Sequence, residues 1–133
     1  MRKSQIPCPQ ESAEQTWIFR WAAVMSASHP ELKLLFHIPN GGSRNKIEAA
    51  KLKAQGVKPG VPDICLPVPN GEYHGLYIEL KRRDGGHVSE NQKAWLSALK
   101  ACGYKAEICK GADEAVSMIE DYLNIRKRGQ QNA

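Results

Sequence analysis

Nowhere in the chain does an apolar run approach the roughly 18 residues needed to cross a bilayer, and no basic start precedes an apolar stretch of signal-peptide length. These absences predict a soluble, cytoplasmic protein. Cys8, Cys65, Cys102 and Cys109 include no Cys-x-x-Cys pair, which argues against zinc. Cys65 and Cys109 fall in apolar strand-like runs where a reduced, buried thiol is the ordinary state. The glycines form no nucleotide-binding signature, so no nucleotide cofactor is expected. His29, His37, His74 and His87 lack both metal-finger spacing and a nearby nucleophile-like serine, and they receive no catalytic role. There is no internal repeat.

What is present is an excess of positive charge. The formal net charge is +5, with basic residues gathered at 44–58, 81–83 and 126–128. Such clusters suit a polyanionic partner, because lysine and arginine contacts to phosphate release counterions and supply sequence-independent affinity. The 133 residues suffice for one domain with a core of its own. The expected division is an irregular arm over 1–10 containing Pro7 and Pro9, a domain over 11–125, and a basic flexible tail over 126–133.

Periodicity supplies the elements. Ala13, Trp17, Ile18, Trp21, Val24 and Met25 recur at helical steps from about Ser12 until His29-Pro30, with both tryptophans expected as core anchors. A short strand is predicted over 34–38 and is broken by Pro39-Asn40-Gly41-Gly42. Ser43 is placed to cap a helix running to Gln55, closed by Gly56. The loop 56–62 precedes paired strands over 63–68 and 75–82, joined by the turn signal Pro69-Asn70-Gly71. Ser89 and Gln92 resemble a capping box for a helix through Trp95, Leu96 and Leu99 to Gly103. A strand over 104–109 follows, then a helix opened by Asp113 that buries Val116, Ile119 and Leu123. The expected fold class is α/β, a small mixed sheet flanked by helices in the order α-β-α-β-β-α-β-α.

On the second of the paired strands, Tyr77, Glu79 and Lys81 share one face while Leu76, Ile78 and Leu80 share the other. One face packs, leaving the other for chemistry. A polar group taken from water without a partner costs roughly 2–7 kcal/mol, so an acid on a central strand needs a reason. Asp63 and Glu79 are hard oxygen ligands of the kind Mg²⁺ or Mn²⁺ prefers, and Lys81 stands where its ammonium can orient water and neutralise charge developing at phosphorus. An isolated Glu-x-Lys on a surface hairpin is ordinary. The Pro62-Asp63 dipeptide at hairpin distance makes the trio a candidate for metal-dependent phosphodiester cleavage.

The linked motifs Pro39-Asn40-Gly41-Gly42, Gly56-Val57-Lys58-Pro59-Gly60-Val61-Pro62-Asp63, Ile78-Glu79-Leu80-Lys81, Ser89-x-x-Gln92-x-x-Trp95 and Gly103-Tyr104 resemble the VRR-NUC domain of the PD-(D/E)xK nuclease superfamily, its phage-type standalone branch in particular. The likeness spans about 11–123. It implies a restriction-endonuclease-like fold and a Mg²⁺- or Mn²⁺-dependent, structure-selective DNA endonuclease in the cytoplasm of a bacterial host. It further implies a homodimer acting on Holliday (four-way) junctions. Flap cleavage by a monomer and a catalytically idle DNA-binding module of the same fold stand as alternatives.

By the same resemblance Asp63, Glu79, the Leu80 carbonyl and Glu14 would hold metal, with Lys81 and Gln92 completing the catalytic set. Glu11 lies on about the same helical face as Glu14, and a solvated acid near a helix start is the plain reading of either. Gln92 serves equally well as a purely local cap. Asn40, Gly41 and Gly42 can let backbone approach a phosphate, with Arg44 at the next helix start and Lys58 in the following loop, although a plain turn explains the glycines as well.

Overall fold

The structure, a computed structural model, describes residues 7–39 and 45–125. Helix α1 (Glu11–Met25) leads through a short 3₁₀ helix (Pro30–Leu34) to strand β1 (Phe36–His37). Then come α2 (Lys46–Ala54), β2 (Ile64–Leu66), β3 (Leu76–Lys81), α3 (Glu90–Ala101), β4 (Lys105–Lys110) and α4 (Gly111–Leu123). The strands form one mixed sheet in the order β1-β2-β3-β4. β1 and β3 run antiparallel to β2, whereas β4 runs parallel to β3. That parallel pair needs a crossover, which α3 provides.

β3 is an interior strand, and its even face is wholly apolar. Leu76, Ile78 and Leu80 join Ile64 and Leu66 of β2, Ile18 and Ala22 of α1, and Ala112, Ala115, Ile119 and Tyr122 of α4 in a continuous core. Each fully buried aliphatic side chain contributes about 1.5–3 kcal/mol, so this layer fixes the register of the strand. On the odd face Glu79 and Lys81 are buried as well, at 2% and 6% exposed, while Tyr77 is half-buried. The face expected to do chemistry is therefore no open surface: α3 closes over it from Gln92.

Several boundaries differ from the sequence expectations for local reasons. α1 stops at Met25 and not near His29. Pro30, with its preset φ, opens the 3₁₀ turn, which consumes the front of the expected strand and leaves β1 only Phe36 and His37. Asn45 caps α2, its side chain accepting from Ile47 N at 2.8 Å; the expected cap, Ser43, lies outside the described residues, as do 1–6 of the arm and all of the tail over 126–133. The β2–β3 connection is longer than a tight hairpin, because the Asn70 side chain accepts from both Glu72 N and Tyr73 N while Gly71 turns at φ 90°.

α1 is rotated relative to its apparent apolar stripe. Its inward face is Glu14, Ile18 and Ala22, so Trp17 is 49% exposed and Trp21 only packs against the edge of the core. Trp17 is thus no core anchor. The cause is the buried carboxylate of Glu14, whose partners set the helix rotation. It accepts from Ala112 N at 3.2 Å, which also starts α4 at Gly111, two residues before the expected Asp113.

Candidate active site

Proline and glycine in the 56–62 loop keep that segment out of helix and strand until Asp63, directly before β2. The antiparallel register pairs Ile64 with Ile78 and Cys65 with Tyr77; one step further it sets Asp63 against Glu79. Asp63 Oδ2 accepts from Leu80 N at 2.8 Å, which fastens the acid to the neighbouring strand. The two carboxylates predicted from sequence thus meet across adjacent strands.

Lys81 completes the trio, with Nζ 3.5 Å from Glu79 Oε2. Gln92 joins all of it to α3. Its Nε2 donates to Glu79 Oε2 at 3.0 Å, while its Oε1 accepts from Lys81 Nζ at 3.0 Å and from Ser89 N at 2.9 Å. Ser89 Oγ in turn accepts from Gln92 N, so the capping box is complete. The sequence offered two alternative roles for this glutamine, local cap or site residue. One amide makes both sets of bonds, its oxygen accepting from Ser89 N and Lys81 Nζ while its nitrogen donates to Glu79.

The electrostatics are unbalanced in one direction. Burial and then the Asp63 charge push the Glu79 carboxyl up to about 8, against the attraction of Lys81. Among the described residues Glu79 Oε1 is buried with no hydrogen-bond partner. A buried carboxylate oxygen without a donor, facing a second carboxylate, is relieved by a proton or by a cation. Two hard oxygen donors from neighbouring strands suit a divalent ion such as Mg²⁺ or Mn²⁺, so the residues present fit the expected metal.

Glu14 is placed elsewhere. Although only 3% exposed, it is paired in a fork by Arg83, Nε to Oε2 at 2.8 Å and Nη2 to Oε1 at 2.9 Å. Those bonds hold its carboxyl below the usual carboxylate range. The structure does not bring Glu14 to Asp63 and Glu79; its oxygens accept from Arg83 and Ala112 N. Among the described residues no three His, Cys, Asp or Glu side chains gather as a metal-ligand set. Glu11 is exposed at the helix start. Arg83, counted in sequence only as part of a basic cluster, is the residue that sequence reasoning missed. Its signal was the strand alternation itself, continuing from Glu79 and Lys81 to 83.

Of the expected DNA contacts, Asn40, Gly41, Gly42 and Arg44 lie outside the described residues, while Lys58 is exposed in the loop before Asp63. Trp95 is half-buried on α3 and outside the core cluster. Cys65 and Cys109 are buried, as expected.

The profile of the VRR-NUC domain matches residues 3–113. A solved structure described as a VRR_NUC domain protein superposes with a TM-score of 0.78 at 31% identity, covering 90% of this chain and 93% of that one. No curated protein matches. Among the described residues no helix is long and apolar enough to cross a membrane. The profile match contains Asp63, Glu79, Lys81 and Gln92, and the superposition covers nearly the whole chain. With its paired acids, buried lysine and mixed sheet, the chain belongs to the VRR-NUC domain family, a domain of nuclease type.

Proposed function

We propose that the protein is a divalent-metal-dependent, structure-selective DNA endonuclease that hydrolyses phosphodiester bonds in branched DNA, with the four-way junction as its substrate. The observation that carries this reading is the buried, unpartnered Oε1 of Glu79 beside Asp63 and Lys81. Asp63, Glu79 and the Leu80 carbonyl are the groups that would hold Mg²⁺ or Mn²⁺. Bound there, the ion supplies Lewis acidity to the scissile phosphate and to the attacking water. Lys81 neutralises charge growing on the phosphoryl oxygens and orients the water. Gln92 fixes Lys81 and Glu79 relative to one another, and Glu14 positions the start of α1 through Arg83. The net charge of +5 supports a polyanionic substrate.

Junction resolution needs two symmetrically placed cuts, for which a two-fold dimer is the natural vehicle. The test incubates the protein with labelled four-way junctions, flaps and plain duplex, with and without Mg²⁺ or Mn²⁺. Junction cutting that requires metal is expected. Asp63→Ala, Glu79→Ala and Lys81→Ala should each abolish cutting while retaining junction binding; full activity in any of them refutes the assignment. Sedimentation should give a dimer, and an active monomer would move the substrate to flaps.

A further inference from the structure

α2 stands apart from the other helices in burying nothing. None of its nine residues is buried, only Leu52 is half-covered, and Ile47 is 80% exposed. A helix this short is marginal in water by itself, since helices draw most of their stability from a packed face. α1, α3 and α4 each have such a face. α2 instead carries Lys46, Lys51 and Lys53, followed by Lys58, against the single acid Glu48. Four lysines against one glutamate is a net of three positive charges out of the +5 of the chain. None of these five residues makes an ion pair among the described residues.

This charged surface is tied mechanically to the trio. Val57 N and Gly56 N bond back to Leu52 O and Lys53 O, closing α2 onto the loop that follows. Gly60, at φ 91°, lies so close to α3 that an added Cβ would sit 2.6 Å from the carbonyl carbon of Asn91. Lys58 is therefore two residues from a point clamped on the first turn of α3, and Asn91 is next to Gln92, which touches Glu79 and Lys81. A cleft of about 290 Å³, lined by Ile38, Gln55, Val57, Lys58 and Val61 among others, opens where α2 joins this loop.

We infer that α2 and Lys58 are a phosphate track: they hold the sugar–phosphate backbone of a duplex DNA arm leaving the cleavage site. Unpaired lysines on an exposed helix match the charge of such a backbone, and contacts of this kind position a duplex without reading its sequence. The placement relative to a cut bond rests on the nuclease reading above; the binding itself does not.

The experiment measures binding of a labelled duplex to the full chain in chelator, as a function of salt. Each phosphate neutralised adds about 0.9 to the slope of log affinity against log salt. The variant Lys46→Gln/Lys51→Gln/Lys53→Gln/Lys58→Gln should lose about 3 to 4 from that slope and bind at least about tenfold more weakly. Each single change should remove about 1. Glutamine is nearly as good a helix former as lysine, and circular dichroism should show the helix content kept. The matching arginine variant should retain the slope, and the control Lys33→Gln/Lys93→Gln/Lys100→Gln should not reproduce the loss. An unchanged slope in the quadruple glutamine variant, or an equal loss in the control, overturns the track. So would quadruple-variant sedimentation showing that α2 instead joins two copies of the chain. If the wild-type chain never cuts DNA with Mg²⁺ or Mn²⁺ yet the slope loss appears, the nuclease reading falls and the track stands. Where cutting occurs, the quadruple variant should raise KM and leave kcat at saturation within about twofold, as expected when binding common to ground and transition state is lost.

Discussion

Replacing Glu79 with glutamine should make the metal-free protein more stable while destroying its proposed activity. The folded state raises this carboxyl from 4.5 to about 8, so it holds the proton more tightly than the unfolded chain does. Stability from this group is therefore fully present at and below pH 4.5, declines as pH rises towards 8, and levels off above that. At about 1.36 kcal/mol per unit, the ionised form above pH 8 costs roughly 5 kcal/mol, a figure that already contains the attraction of Lys81. Glutamine carries no charge, but its second polar atom inherits the unpartnered position of Oε1 at about 1–3 kcal/mol. The net gain is about 2–4 kcal/mol, which for a chain of this size raises Tm by roughly 6–16 °C. The assay is thermal unfolding of wild type and Glu79→Gln in chelator between pH 5 and 9. The variant should lie about 1–3 kcal/mol below wild type at the acid end, cross it as the pH rises, and exceed it at pH 9. Adding Mg²⁺ or Mn²⁺ should raise the wild-type Tm most at the alkaline end and leave the variant unmoved, because a ligand stabilises only the state that binds it. A wild-type Tm that is flat across this range, or a glutamine variant that gains nothing at pH 9, would refute the reasoning.

The cap and the site can be separated at the start of α3. Ser89→Ala removes one half of the capping box and should cost about 1 kcal/mol in urea unfolding with cleavage retained, whereas Gln92→Ala should cost a similar amount and also slow cleavage on the order of 100-fold, because Lys81 and Glu79 lose their shared support. Arg83→Ala leaves Glu14 buried and ionised without its fork. The carboxyl of Glu14 is held low in the native state, so its pairing stabilises above pH 4.5 and is lost as pH falls through the depressed value. The urea midpoint of Arg83→Ala should drop clearly at pH 7 and converge on wild type in strong acid; an equal drop at both would show that Arg83 acts by packing alone.

Much of this was legible from the chain because the signals were local. Ser89 and Gln92 lie within one helical turn, the alternation of β3 fixes which side chains share a face, and Pro62-Asp63 marks the start of β2. Convergence of Asp63 with Glu79 was readable once the two strands were taken as antiparallel neighbours. What failed depended on distant partners. The rotation of α1 is set by Arg83, 69 residues away, and by Ala112 N, 98 away. Hydrophobic periodicity alone chose the stripe through Trp17 because it gives no weight to a buried acid with its own partners. The start of α4 failed for the same reason, since an amide of its first turn, Ala112 N, donates to Glu14.

The odd side of β3 explains why these distant partners and the trio belong to one arrangement. Glu79, Lys81 and, beyond the strand, Arg83 follow at two-residue steps, and each reaches a different part of the chain. Glu79 faces Asp63 beside β2, Lys81 takes Gln92 of α3, and Arg83 binds Glu14 of α1 and Asp113 of α4. Asp63, Glu79 and Lys81 sum to one negative charge when all are ionised, in a place where water cannot screen it. A proton on Glu79 cancels that charge, and a divalent cation more than offsets it. On the proposed reading, which of the two is present would decide whether the trio is inert or ready, and the cost of keeping Glu79 ionised would also be the affinity reserved for a metal. The Arg83 cluster, by contrast, is closed on itself by bidentate pairing. The first cluster is therefore the one to titrate for function and the second the one to titrate for folding, and a single pH series on wild type, Glu79→Gln and Arg83→Ala separates them by the opposite signs of their slopes.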